Sequence, residues 1–66
     1  MKAYNYNAKV NRAERYKRKV QQILKTVYDD YIDDFKYNLA DFYTCCVFGI
    51  SPVITATRIY YREAIV

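Results

Sequence analysis

The stretch DFYTCCVFGISPVITATRIYYREA, residues 41–64, decides how this chain folds. It holds Gly49 and Pro52, the only glycine and the only proline among 66 residues. Glycine takes the left-handed conformation that ends a helix at little steric cost, and proline is tolerated at the first position of the next one. Ser51, just before that proline, is a good N-cap. The stretch therefore reads as a helix from Asp41 to about Phe48, a stop at Gly49, and a new helix from Ser51-Pro52 to about Ala64. Close packing of two helices around such a turn needs a small residue four positions before the glycine and apolar neighbours beside it; Cys45, Phe48 and Ile50 meet these needs. The β-branched residues Val53, Ile54, Thr55, Thr57 and Ile59 keep a strand open as the alternative for the last segment.

Upstream, Val20, Ile23, Leu24, Val27, Tyr28, Tyr31, Ile32 and Phe35 repeat with the period of an amphipathic helix. Gln21, Gln22, Lys25, Asp29, Asp30, Asp33 and Asp34 then fall on its polar face. Asn7 is a candidate cap for the same helix, since no glycine or proline occurs from residue 8 to 36. Asn38 favours a turn, and Asp41 can cap a second helix beyond it. The rival is one unbroken helix to Phe48, because Tyr31, Phe35, Leu39, Phe42 and Cys46 keep helical spacing. The expected fold is all-α: one small three-helix domain over residues 1–66 with a C-terminal helix-turn-helix, or alternatively a long helical hairpin. Residues 1–10 are a candidate flexible basic arm.

So short a chain buries only about 60% of the surface it exposes when unfolded. Nine Tyr and three Phe supply core volume through rings whose hydroxyls can still reach water. Cys45 and Cys46 are adjacent, too close for an unstrained disulfide, and read as free thiols in a reducing, cytoplasmic compartment. Without histidine, a further cysteine pair or a glycine-rich phosphate loop, the sequence points to no metal, no cofactor and no catalysis. The N-terminus is polar and lacks a signal-peptide core. The uncharged run 42–57 would span roughly 24 Å as a helix, short of about 30 Å of hydrocarbon, so no membrane partner is expected.

The net charge of +4 is unevenly placed. Residues 1–25 carry Lys2, Lys9, Arg12, Arg15, Lys17, Arg18, Lys19 and Lys25 against Glu14 alone, whereas 26–50 carry five aspartates against Lys36. A basic arm ahead of an acidic middle suits a polyanion, and it equally suits a helix with solvated ends. The run Arg15-Tyr16-Lys17-Arg18-Lys19 reads as cations wrapped around a helix rather than lining one side.

Gly49-Ile50-Ser51, then Arg58-Ile59-Tyr60, then Arg62-Glu63-Ala64-Ile65 resembles the fourth region of bacterial sigma factors and their phage-encoded relatives, over residues 41–65. Two positions depart: Thr55 stands where that family usually has Val or Ile, and the Arg-Glu-Ala group comes one residue early. The resemblance implies a DNA-binding helix-turn-helix regulator, phage or mobile-element encoded, whose last helix enters the major groove of duplex DNA. By its pattern Ser51, Val53, Ala56, Thr57 and Tyr60 would face the groove. Ser51 and Thr57 would meet bases or phosphates, Arg58 and Arg62 would neutralise backbone charge, and Lys9, Arg12, Arg15, Lys17, Arg18 and Lys19 would add a salt-dependent grip.

The segment Asn7-Ala8-Lys9-Val10-Asn11-Arg12-Ala13-Glu14-Arg15-Tyr16-Lys17-Arg18-Lys19 is also similar to the arginine-rich helix of lambdoid phage antitermination proteins, which implies RNA-hairpin binding as an alternative. A further alternative is a small viral protein that binds and inhibits a host protein, since Tyr and Arg anchor interfaces well. A dimer is compatible with each of these readings.

Overall fold

The computed structural model describes residues 6–66 as three helices in the order α1 (Tyr6–Tyr28), α2 (Leu39–Val47) and α3 (Pro52–Tyr60). Residues 1–5 of the basic arm, Lys2 among them, lie outside the described residues. The fold is a small all-α domain, and among the described residues neither the hairpin nor the C-terminal strand occurs.

α1 is about 34 Å long at 1.5 Å per residue and serves as the spine against which α2 and α3 both lie. Its buried line is Ala13, Tyr16, Val20 and Leu24, spaced three or four residues apart as one helix face requires. Phe42 and Cys45 from α2 and Thr55, Ala56 and Ile59 from α3 close over that line. Asn7, expected as a cap, is already inside α1.

α1 ends at Tyr28, seven residues before the apolar periodicity does at Phe35. The reason is the aspartates, which do not decorate a helix face but replace helical hydrogen bonds with their own. Asp29 takes φ +53° and closes the last turn by donating its N–H to the Lys25 carbonyl at 3.0 Å. The Asp30 carboxylate accepts the Tyr31 N–H at 2.8 Å, and that of Asp33 accepts the Phe35 N–H at 3.0 Å. Tyr31 and Phe35, read as core, are exposed, while Ile32 and Tyr37 are buried. Gln21 fastens this loop to α1: its Oε1 accepts the Ile32 N–H at 2.9 Å and its Nε2 donates to the Asp30 carbonyl at 3.3 Å.

The cap of α2 is Asn38 rather than Asp41. Asn38 Oδ1 accepts the Asp41 N–H at 3.0 Å and the Asp41 carboxylate accepts the Asn38 N–H at 3.1 Å, a reciprocal capping box. Gly49 then ends α2 as expected. Its φ is +70°, it donates to the Cys46 carbonyl, and the Ile50 N–H reaches the Cys45 carbonyl at 3.0 Å. Ser51 caps α3 by accepting the Val53 N–H, with Pro52 at the first helical position.

α3 stops at Tyr60, short of Ala64, and Arg62 takes the left-handed place that Gly49 fills in α2, at φ +60°. The chain beyond it is strapped to the 29–38 loop. Lys36 Nζ donates to the Arg62 carbonyl and the Tyr37 hydroxyl to the Glu63 carbonyl, both at 2.8 Å. Ile65 is buried in the core, where its carbonyl accepts the Cys45 thiol at 3.2 Å. Among the described residues no helix is long and apolar enough to cross a membrane.

Candidate nucleic-acid interface

Ten side chains carried the expectation of nucleic-acid contact, and the fold separates them into two groups. On α1, Arg12, Arg15, Arg18 and Lys19 are all exposed. At 100° per residue they fall within about 120° of the helix circumference, bordering the buried line at Arg12 and facing away from it at Arg18. These four cations therefore share one side. The run 15–19 as a whole does wrap the helix, because Lys17 points to the acidic loop, with Nζ 3.0 Å from the Asp34 carboxylate. Lys9, also exposed, lies beside α2, with Nζ 6.0 Å from the centre of the Tyr43 ring. Among the described residues no ion pair engages Lys9, Arg12, Arg15, Arg18 or Lys19.

Arg12, Arg15 and Lys19 border an open groove whose opposite wall is the turn between α2 and α3, with Gly49, Ile50, Ser51 and Pro52. Tyr16 and Cys46 also line it. Ser51 stands there at the N-terminus of α3, where helical N–H groups favour negative charge. The Tyr16 hydroxyl donates to the Ile50 carbonyl at 2.6 Å and lies 2.8 Å from Thr55 Oγ1. A phenol has one proton, so Thr55 is the donor in the second bond. Thr55 is wholly buried, but its hydroxyl is satisfied. Burial pushes the Tyr16 phenol above its ordinary pKa and does the same to the Cys45 thiol.

The α3 group is arranged less favourably. Ala56, expected in the groove of DNA, is buried against the core. Thr57 is half-buried, and its hydroxyl donates to the Val53 carbonyl at 3.0 Å and lies 3.2 Å from the Tyr28 hydroxyl. Arg58 is half-buried. Arg62 is off the helix altogether, its guanidinium donating to the Asp30 carboxylate at 3.2 Å and to the Ile59 carbonyl at 2.7 Å. The Asp30 carboxyl is held below the usual range, first by the Tyr31 N–H and then by Arg62. What α3 turns outward is Val53, Ile54 and Tyr60, with Tyr60 stacked on Tyr28 at 4.2 Å between ring centres. Phe48, read as packing beside the turn, is 72% exposed.

Sequence reading missed Asn11 and Gln22, which are exposed on the same arc of α1 as the unpaired cations. Their signal was present in the spacing, since Asn11, Arg15, Arg18 and Gln22 are four, three and four residues apart.

No family model matches the chain, and neither the curated proteins nor the solved structures contain a match to it.

Proposed function

We propose that this chain is a small nucleic-acid-binding regulatory protein whose target is duplex DNA. One observation carries the reading: among the described residues the five aspartates are engaged within the fold, while four cations on one arc of α1, with the exposed Glu14 at its edge, make no ion pair. Asp29 pairs with Lys25, Asp30 with Arg62 and Asp34 with Lys17, while Asp33 and Asp41 hold turns. Among the four cations the pairs Arg12–Arg15, Arg15–Arg18 and Arg15–Lys19 stand three or four residues apart and repel mildly, by a few tenths of a kcal/mol per pair. A polyanion turns that repulsion into attraction. Ser51 and the α2–turn–α3 arrangement, the part that resembles phage-encoded helix-turn-helix regulators, lie along the edge of the same surface.

Two to four neutralised phosphates give a slope of log affinity against log salt between about −1.8 and about −3.6. Anisotropy titration of a labelled duplex is expected to show affinity falling roughly 10- to 100-fold between 50 and 200 mM salt. Binding indifferent to salt would contradict the reading.

The outward face of α3 favours a second reading, binding of a host protein. Val53, Ile54, Tyr60 and Tyr61 are exposed there without a charge among them, and aromatic side chains anchor interfaces. Pull-down from nuclease-treated host lysate tests it: a stoichiometric protein partner lost in a Tyr60→Ala, Ile54→Ser variant supports this reading.

A further inference from the structure

The exposed arc of α1 carries two amides that the fold does not use. No hydrogen bond among the described residues engages the side chains of Asn11 or Gln22. Gln21, one position away, spends both ends of its amide on the 29–38 loop, so the free state of Gln22 is not a general property of this helix surface. Together with Arg15 and Arg18, the two amides form a single line along α1, confined to about 60° of its circumference. Eleven residues of rise make the line about 16 Å long, which matches roughly five base-pair steps of 3.4 Å.

Those three residue types are among the ones that read bases. Arg forms two hydrogen bonds to guanine, and Asn or Gln forms two to adenine, all in the major groove. Arg12 and Lys19 lie to one side of the line, toward Ser51, where a groove-bound helix meets the phosphates of one strand. α3 has no comparable set, because Ala56 is buried, the Thr57 hydroxyl is bonded within the fold, and Val53, Ile54 and Tyr60 offer a base no matching donors and acceptors along a line.

We propose that α1, not α3, is the helix that enters the major groove, with Asn11, Arg15, Arg18 and Gln22 reading bases and Arg12 and Lys19 holding phosphates. This rests on the nucleic-acid reading above and assigns its specificity. The form of duplex follows from shape. α1 carries α2 and α3 on its other side, and the whole body measures 42 × 22 × 19 Å. The B-form major groove, about 12 Å wide, admits a helix backed by such a body, and the deep, narrow A-form groove does not.

Selection of the full chain on a random duplex DNA library, followed by competition titrations with the selected site, tests the assignment. A preferred site of about five base pairs is expected. Arg15→Ala and Gln22→Ala should each relax preference at one position by about 5- to 150-fold. Arg12→Ala and Lys19→Ala should weaken all sequences alike, and circular dichroism should show each of these exposed variants folded. If preference instead follows Ser51→Ala or Thr57→Ala and ignores the α1 line, the reading helix is α3 and the proposal fails. Salt-dependent binding without any sequence preference overturns the base-reading role but leaves the phosphate-binding function standing. No binding to duplex DNA at low salt removes both. Tighter binding to an A-form RNA hairpin of the same sequence overturns the groove assignment.

Discussion

Tyr16 and Thr55 meet through their hydroxyls 2.8 Å apart, joining the middle of α1 to the buried face of α3, while the same phenol holds the Ile50 carbonyl at the turn. Buried polar groups left without partners destabilise more than the bonds themselves stabilise. Tyr16→Phe strands both the Ile50 carbonyl and the Thr55 hydroxyl, so it is expected to lower stability by about 1–3 kcal/mol. At roughly 4–8 °C per kcal/mol for a domain of this size, thermal melting should register the loss readily. The double variant Tyr16→Phe, Thr55→Val should lose less than the two single losses added together, because each change removes a partner that the other has already stranded.

The same phenol sets the alkaline limit of stability. Tyr16 and Tyr37 both titrate above their ordinary value because burial disfavours the phenolate. Raised pKa values in the fold mean stability that is complete below about pH 10, the unfolded value, and is lost as pH rises through the folded ones. Asp30 works in the opposite sense. Its pKa is lowered, so its contribution is present above about pH 3.9 and disappears as pH falls through the depressed value. Urea denaturation across pH should therefore show a plateau with two falling limbs. Asp30→Asn should flatten the acid limb, and Tyr16→Phe should weaken the alkaline one.

Each helix ends on a residue with positive φ, but only one of the three is glycine. At Gly49 an added Cβ would meet nothing within 4 Å, so Gly49→Ala isolates the backbone effect. The expected loss is about 1 kcal/mol, the penalty of a side chain in the left-handed region. Asp29, at φ +53°, bears that penalty already, and its pairing with Lys25 is too exposed to offset it. Asp29→Gly should accordingly raise the melting temperature while Gly49→Ala lowers it, two opposite shifts from one cause.

The C-terminal half of the fold was legible because its signals are local: Gly49 can stop a helix, and Ser51-Pro52 can start one, whatever lies around them. The 29–38 loop was not legible. Apolar spacing through Tyr31 and Phe35 imitates a helix, and only the local bonds of Asp29, Asp30 and Asp33 break it. Arg62 was misread for a related reason, since the tail that carries it is held by Lys36, Tyr37 and Asp30, partners 26 to 32 residues away in sequence. The cationic run had the right composition, and its division into an unpaired arc and a paired Lys17 became visible only with the Lys17–Asp34 contact. Asn11 and Gln22 were not read as site residues because their spacing with Arg15 and Arg18 marks a shared face only once the exposed side of α1 is fixed.

Lys17 and Arg18 are neighbours in sequence with different duties, and they offer the sharpest test of the α1 surface. Lys17 Nζ lies 3.0 Å from the Asp34 carboxylate, and Arg18 is exposed and unpaired among the described residues. If binding depended only on the summed charge of the helix, Lys17→Ala and Arg18→Ala would weaken a DNA complex equally. The one-sided arc predicts otherwise. Arg18→Ala should weaken binding to the preferred site about 5- to 150-fold and relax preference at one position, as loss of a base contact does, while Lys17→Ala should leave both unchanged because its charge is already matched. Asp34→Asn completes the comparison: it removes an anion and releases Lys17, so affinity should rise at low salt and the gain should fade as salt screens it. Arg62→Ala, which breaks the contact with Asp30 and the cap at the end of α3, should lower the melting temperature and leave the salt slope as it was. Equal losses of affinity for the Lys17 and Arg18 variants would mean that the protein meets DNA through its overall field and not through this arc.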